Sequence, residues 1–109
     1  MALDLPTLRK LVALDPADPL SHFALGKKLF ETADDPAALE ESAEHLKFAN
    51  ENAPAHLASY HIRAQALLQL GRTAEAKTVL QAGMVRMAGV GEGMGRDLGP
   101  LMAEMLARL

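Results

Sequence analysis

One spacing recurs in this 109-residue chain and limits the folds available to it. A proline-led link and an apolar pattern occur twice, 38 residues apart, so that Pro16 matches Pro54 and Gly26 matches Ala64. A period of about 20–50 residues is typical of arrays in which each helical unit stacks on the next. Such arrays usually present an extended surface to another molecule, so the spacing bounds the class of function.

The composition favours helices and excludes several kinds of site. Half of the residues are hydrophobic and only 4% are aromatic, so the core must consist mainly of Leu, Ala, Val and Met. Alanine and leucine favour helix, and no alternating run reaches strand length. The chain has no cysteine, which excludes disulfides, thiolate zinc sites and thiol nucleophiles. The net charge is −3 and the basic residues are scattered, so we expect no nucleic-acid partner.

Proline and capping signals divide the chain into six helices within one domain. We expect a leading half-repeat helix, a first repeat, a second repeat and a capping helix over 4–15, 19–56, 57–90 and 97–109. Aspartate caps a helix and proline is tolerated in its first turn, so Asp35 predicts a third helix over Pro36–Asn52. Gly71 is suited to end the fourth helix. The four glycines of segment 89–95 predict a flexible connector. The segment lacks the spacing of a phosphate-binding loop.

The two copies resemble the tetratricopeptide repeat, whose pattern is W-x2-L-G-x2-Y, then A-x3-F, then P. The first copy reads His22-x2-Leu25-Gly26-x2-Leu29, then Ser42-x3-Leu46, then Pro54. The second reads Tyr60-x2-Arg63-Ala64-x2-Leu67, then Ala76-x3-Leu80, then Ala88 in place of the proline. The resemblance covers about residues 4–90. It implies an all-α fold, a right-handed solenoid of antiparallel helix hairpins with a C-terminal capping helix.

Three features depart from the family pattern. The family unit has about 34 residues, so the longer period predicts about four extra residues, which we place in the turn around 32–37. His22 replaces the usual large aromatic residue. Arg63 stands where an apolar residue is expected, so we expect either a buried stem with its head in solvent or a pair with an acid.

In this family, ligands lie in the concave groove lined by the first helix of each unit. The resemblance therefore implies that this groove binds a peptide or helix segment of another protein. The candidate groove residues are Leu20, Phe23, Lys27, Phe30 and Glu31 from the first unit and Ala58, His61, Gln65, Leu68 and Gln69 from the second. The two phenylalanines have an alternative role, which is to pack against the leading helix. We do not expect a heat-shock chaperone terminus as ligand, because Phe23 and His61 stand where that carboxylate clamp needs Lys or Asn.

The C-terminal helix suggests a second hypothesis, self-association as a homodimer. Five of the six methionines lie at or after Met84, and methionine adapts to varied surfaces. The candidate interface residues are Leu98, Leu101, Met102, Met105 and Leu109. The same amphipathic face can instead cap the stack by packing on Val79 and Met84.

We expect neither catalysis nor a metal or cofactor. Ser21 precedes His22 and Ser59 lies near His61, but close neighbours on a helix point in different directions. His56 and His61 are five residues apart, which is not the spacing of a helical metal site. The sequence has no targeting pattern and no apolar run of membrane-spanning length, so we expect a cytoplasmic protein without a membrane partner.

Overall fold

The computed structural model describes residues 3–87 and 94–109, which form six α-helices and contain no strand. The helices are α1 Leu5–Leu14, α2 Pro19–Thr32, α3 Pro36–Asn52, α4 Leu57–Gln69, α5 Thr73–Met87 and α6 Met94–Ala107. The all-α prediction is confirmed for these residues. Within them, no helix combines the length and apolar character that a membrane crossing requires.

Aspartate side chains begin the first three helices. The carboxylates of Asp4, Asp18 and Asp35 each accept a backbone N–H of the first turn, at 3.0, 3.1 and 2.8 Å. A proline in the first turn follows each aspartate, where its missing N–H leaves no helical bond unmade. The predicted bounds of α3, Pro36–Asn52, are confirmed.

Gly71 ends α4 in the left-handed conformation, as predicted. Its φ is 77°, a value that a side chain would strain. The N–H of Gly71 donates to the carbonyl of Leu68 at 3.0 Å, and the N–H of Arg72 donates to that of Leu67 at 2.9 Å. These two bonds are the Schellman pattern, which satisfies the last carbonyls of a helix. The Arg72 guanidinium then reaches Glu40 on α3 at 2.8 Å, so the turn is tied to the preceding hairpin.

The predicted long turn between α2 and α3 is wrong. That link spans 33–35, and the matching link between α4 and α5 spans 70–72, so the two are equally short. The first unit instead has 14 residues in α2, 17 in α3 and the link 53–56 before α4. The cap at Asp35 fixes the start of α3 and so keeps the turn short.

The last helix begins earlier than predicted, at Met94 rather than residue 97, and ends at Ala107. Pro100 therefore lies inside α6 rather than in its first turn. Residues 88–93 of the predicted connector and of the second repeat lie outside the described residues. Further along the helix, Gly99 is buried, and a Cβ there would lie 2.7 Å from the Met87 sulfur. Glycine therefore lets α5 and α6 approach closely.

The helices are arranged in two rows of unequal spacing. Each helix packs against the next in the chain, and α2 and α6 also pack against α4. In the described part of the chain, α3 packs closely against neither α1 nor α5. The even-numbered helices, which begin 38 and then 37 residues apart, thus form one continuous row, while the odd-numbered helices are further from each other.

One hydrogen bond to a proline carbonyl recurs at the links before α2 and α4. The His22 Nε2 atom lies 2.8 Å from the carbonyl oxygen of Pro16. The Tyr60 hydroxyl, 38 residues further on, donates to the carbonyl of Pro54 at 3.0 Å. His22 also stacks on Phe48 with 4.0 Å between ring centroids, so the imidazole fills the place of the larger aromatic ring.

The helix crossings place small residues against bulky ones. A Cβ at Gly26 would lie 2.8 Å from the Leu46 Cγ and 3.1 Å from the carbonyl oxygen of Ser42. The Ser42 hydroxyl donates to the Gly26 carbonyl at 2.7 Å. In the second hairpin, Ala64 and Leu80 are fully buried in one hydrophobic cluster. The core therefore sits between paired helices, which leaves the outer faces of the rows free.

Candidate partner-binding groove

The ten predicted groove residues all lie on α2 and α4, and most are accessible. Four of them are exposed, and Leu20 has 55% of its surface in contact with solvent. The exposed residues are Leu20, Lys27, Glu31 and Gln69, and the half-buried ones are Phe23, Phe30, Ala58, His61, Gln65 and Leu68. The face is therefore mixed, with apolar side chains partly covered and charged groups in solvent.

The first depression lies between α1 and α2 and has a volume of about 280 Å³. Three predicted residues, Phe23, Lys27 and Glu31, line it. Leu3 and Leu8 form the opposite wall, which the sequence did not assign to the groove. Phe23 combines both roles considered for it, since it lines this depression yet is half-buried.

The Phe23 ring also meets the start of α4. Its edge packs on the His56 imidazole, with 4.4 Å between ring centroids. Burial lowers the pKa of His56, so a neutral ring is favoured at this contact. Leu20 lies nearby in an apolar depression between the two proline-led links, together with Pro54 and His56. The contact therefore joins the α2 part of the groove to the α4 part.

The second depression lies between α4 and α6 and has a volume of about 330 Å³. His61 and Gln65 form one wall, and their side chains are 2.9 Å apart at the Nε2 atoms. Burial lowers the pKa of His61, which favours the neutral ring that can accept from the Gln65 amide. The other wall is α6, including Leu101 and Arg108.

Sequence reasoning missed α6 as a wall of the groove, although a signal was present. The 38-residue spacing that relates Gly26 to Ala64 also relates Ala64 to Met102. Extending the period would have identified α6 as the third helix of the even-numbered row. This third copy is hard to recognise in the sequence, because the bulky Met102 stands where the other copies have the small residues Gly26 and Ala64.

The predicted dimer residues of α6 divide into two groups. Met102 is fully buried in the same cluster as Val79, and Leu98 and Met105 pack against that cluster. Leu101 and Leu109 remain 49% and 37% exposed. Most of the apolar face thus caps the stack of its own chain, which is the alternative considered for this helix, and two leucines remain available on the surface.

Arg63 has an amide partner that the sequence did not indicate. Its Nη1 donates to the Asn50 Oδ1 at 3.1 Å, so α4 is bonded to α3 through a half-buried side chain. Burial lowers the pKa of Arg63, and the nearby carboxylates of Glu44, Glu51 and Glu75 oppose that shift. The cation is thus compensated by surrounding acids and directly bonded to a neutral group.

A serine and a histidine do meet, in a pair different from those considered from sequence. The Ser59 hydroxyl lies 2.7 Å from the His56 Nδ1, three residues away at the start of α4. Ser59 is fully buried, so its oxygen is closed to a substrate. Ser21 donates to Asp18 at 2.7 Å instead of to His22. Across 3–87 and 94–109, no three or more His, Asp or Glu side chains cluster as metal ligands.

No protein-family model, curated protein or solved structure matches this chain. The functional proposal therefore depends on the packing and the chemistry of the described residues.

Proposed function

We propose that this chain is a cytoplasmic, non-catalytic adaptor that binds a peptide or helix segment of another protein across α2, α4 and α6. The fold that we propose is a tetratricopeptide-like right-handed solenoid, with α1 as a leading half-unit and α6 as a cap. Contacts within the first hairpin support its antiparallel sense, because His22 meets His45 while Gly26, one turn later, meets the earlier Ser42. The repeated bonds to Pro16 and Pro54 support a structural repeat.

The unequal spacing of the two rows supports a concave face. Rows of helices that pack closely on one side and loosely on the other curve the stack toward the close side. The close row here is α2, α4 and α6, and both depressions adjoin it, one between α2 and α1 and the other between α4 and α6. A concave apolar surface with a few polar groups is the usual form of a peptide-binding site.

The single observation that carries the proposal is the presence of two depressions along that one row, each with an apolar wall and a polar edge. Leu3 and Phe23 supply the apolar wall of the first, and Lys27 supplies a cation at its edge. Leu101 supplies the apolar wall of the second, and the Gln65 amide lies at its edge. Apolar side chains of a bound segment would enter the depressions, while the amide bonds its backbone.

A display library of random peptides, selected on the full chain, would test this function. Selected peptides are then titrated against two matched pairs of charge changes, Lys27→Glu with Lys77→Glu, and Gln65→Glu with Gln81→Glu. The second member of each pair lies on an exposed part of α5. We expect each groove variant to bind at least about tenfold more weakly, because the loss of a polar contact that contributes about 1.4 kcal/mol to binding lowers the affinity tenfold. Equal loss in both members of a pair, or a failure to select any binder, would contradict the proposal.

Phe23 is a poor choice for this test, despite its position in the groove. Its half-buried ring contacts His56, so a change to glutamate would lower stability as well as affinity. The melting temperatures of the Lys27, Lys77 and Gln81 variants should instead remain close to that of the parent, because surface substitutions usually change stability by less than about 0.5 kcal/mol. Gln65 is half-buried against His61, so Gln65→Glu is titrated after circular dichroism shows that it is folded.

Self-association through α6 is a second candidate, favoured by the exposure of Leu101 and Leu109. Sedimentation at micromolar concentration would then give a dimer that Leu109→Glu converts to a monomer. A monomeric parent would exclude this candidate and leave the adaptor proposal unaffected.

A further inference from the structure

Away from the groove, two histidines form the centre of a chain of contacts that joins three parts of the fold. The His22 Nε2 faces the Pro16 carbonyl at 2.8 Å, and its Nδ1 faces the Nδ1 of His45 at 3.0 Å. The His45 Nε2 faces the Glu41 carboxylate at 3.4 Å. Both oxygens of that carboxylate accept from Arg9, the second at 3.1 Å. The chain therefore runs from the α1–α2 link through α2 and α3 back to α1.

Counting protons shows what this arrangement requires. Both ends of the chain, a backbone carbonyl and a carboxylate, can only accept hydrogen bonds. Each of the three contacts made by the two rings therefore needs one hydrogen from a ring nitrogen. Two neutral imidazoles carry two such hydrogens, and one imidazolium with one imidazole carries three. The full set of contacts is satisfied only when the pair holds a single net positive charge.

We propose that His22 and His45 share one proton and act as a latch that holds the α1–α2 link and α1 to the α2–α3 hairpin, and that a second proton opens it. This latch does not depend on the proposed groove. With one shared proton, one Nδ1 donates to the other and both outer nitrogens donate to their acceptors. When the second proton binds, both rings are imidazolium ions. Two Nδ1–H groups then face each other at 3.0 Å, and no hydrogen bond between the rings is possible.

The surroundings oppose the second proton. Burial, followed by the charge on His22, lowers the pKa of His45, while the Glu41 carboxylate partly restores it. Arg9 on α1 adds a further opposing charge, and Asp18 at the start of α2 interacts with the charge on His22.

The charges that shift the His45 pKa lie on α1, α2 and α3. His56, just before α4, packs on Phe23, and Arg63 of α4 binds Asn50. The state of the latch is therefore set by α1, α2, α3 and the link between the first two helices.

Opening should weaken the hold of α3 on α1 before the rest of the fold, because it frees the His45 ring that lies against the Glu41 carboxylate. The only direct tie of α1 to α3 among the described side-chain pairs is the Arg9–Glu41 ion pair, which is the end of this chain of contacts. The Glu41 pKa is lowered chiefly by Arg9, so this carboxylate stays ionised until lower pH than the histidine step. The histidine pair therefore responds to acid first.

Ring ¹⁵N spectra of the full chain, recorded from pH 8 to pH 4, would test the latch. We expect the Nδ1 signal of His45 to move in two steps, one for the proton that it shares with the facing ring and one, at lower pH, for the second proton. In His22→Gln, His45 should titrate in one step, at a pH about one unit higher than its second step in the parent, because the neighbouring charge is gone. His61, which contacts Gln65 on another helix, is the internal control and should not change.

Hydrogen exchange supplies the second measurement and remains informative if His22→Gln fails to fold. In the parent, the α1 amides should lose protection below the second histidine step, after correction for the intrinsic pH dependence of exchange. In His45→Gln, their protection should be lower at neutral pH and no longer follow that step. A single His45 step in the parent, or α1 protection that does not change across the second step, would overturn the proposal.

Discussion

Replacing Gly26 with alanine tests the helix crossing on which the first hairpin depends. The added methyl would lie 2.8 Å from the Leu46 Cγ and 3.1 Å from the Ser42 carbonyl oxygen. Neither atom can yield easily, because Leu46 is fully buried and the carbonyl belongs to the α3 backbone. Overpacking of this kind costs about 1–3 kcal/mol, and a contact below 3 Å places Gly26→Ala in the upper part of that range. Alanine regains about 1 kcal/mol of helix propensity, so the net loss is about 1–2 kcal/mol.

Thermal and urea unfolding followed by circular dichroism would measure this loss. A net cost of that size lowers the melting temperature by about 4–12 °C in a domain of this length. The double variant Gly26→Ala with Leu46→Ala should be less unstable than the sum of the two single variants, because the smaller side chain makes room for the methyl. An unchanged or higher melting temperature in Gly26→Ala would refute the close approach of α2 and α3.

Three further outcomes follow from the same physical reasoning. Ala64→Leu should lower the free energy of unfolding in urea by on the order of 1–3 kcal/mol, because Ala64 is fully buried. An unchanged free energy of unfolding would contradict this. Gly71→Ala should cost about 1–2 kcal/mol in the same assay, since its φ of 77° is unfavourable for a residue with a Cβ; a cost below about 0.3 kcal/mol would contradict this. Burial lowers the pKa of His56 and His61 from an ordinary value of 6.5. The unfolded chain then binds more protons than the folded one, so stability should fall as the pH drops below about 6.5; a flat profile from pH 7 to pH 5 would contradict it.

Much of the helical framework follows from local signals in the sequence. Asp35 followed by Pro36 fixes the start of α3, and Gly71 fixes the end of α4, because capping depends on a few neighbouring residues. The spacing of Gly26 and Leu46 likewise predicts a tight crossing. The early start of α6 could not be predicted, since a glycine-rich segment has a weak local preference for helix.

The candidate site was predictable only on one side. Periodicity placed Lys27 and Gln65 on one face of their helices, which is a local property. The opposite walls, such as Leu3 and Leu101, depend on which helices become neighbours, and that depends on the tertiary fold. The His22–His45 contact was hidden for the same reason, because the two rings are 23 residues apart.

The most direct test of the partner-binding face is a titration of the ¹⁵N-labelled chain with a library-selected peptide, followed by backbone amide chemical shifts. We expect the largest changes around Lys27, Gln65 and Leu101, along α2, α4 and α6, and almost none around Lys77 on α5. Changes centred on α5, or spread evenly over both rows of helices, would contradict a binding face on the even-numbered row.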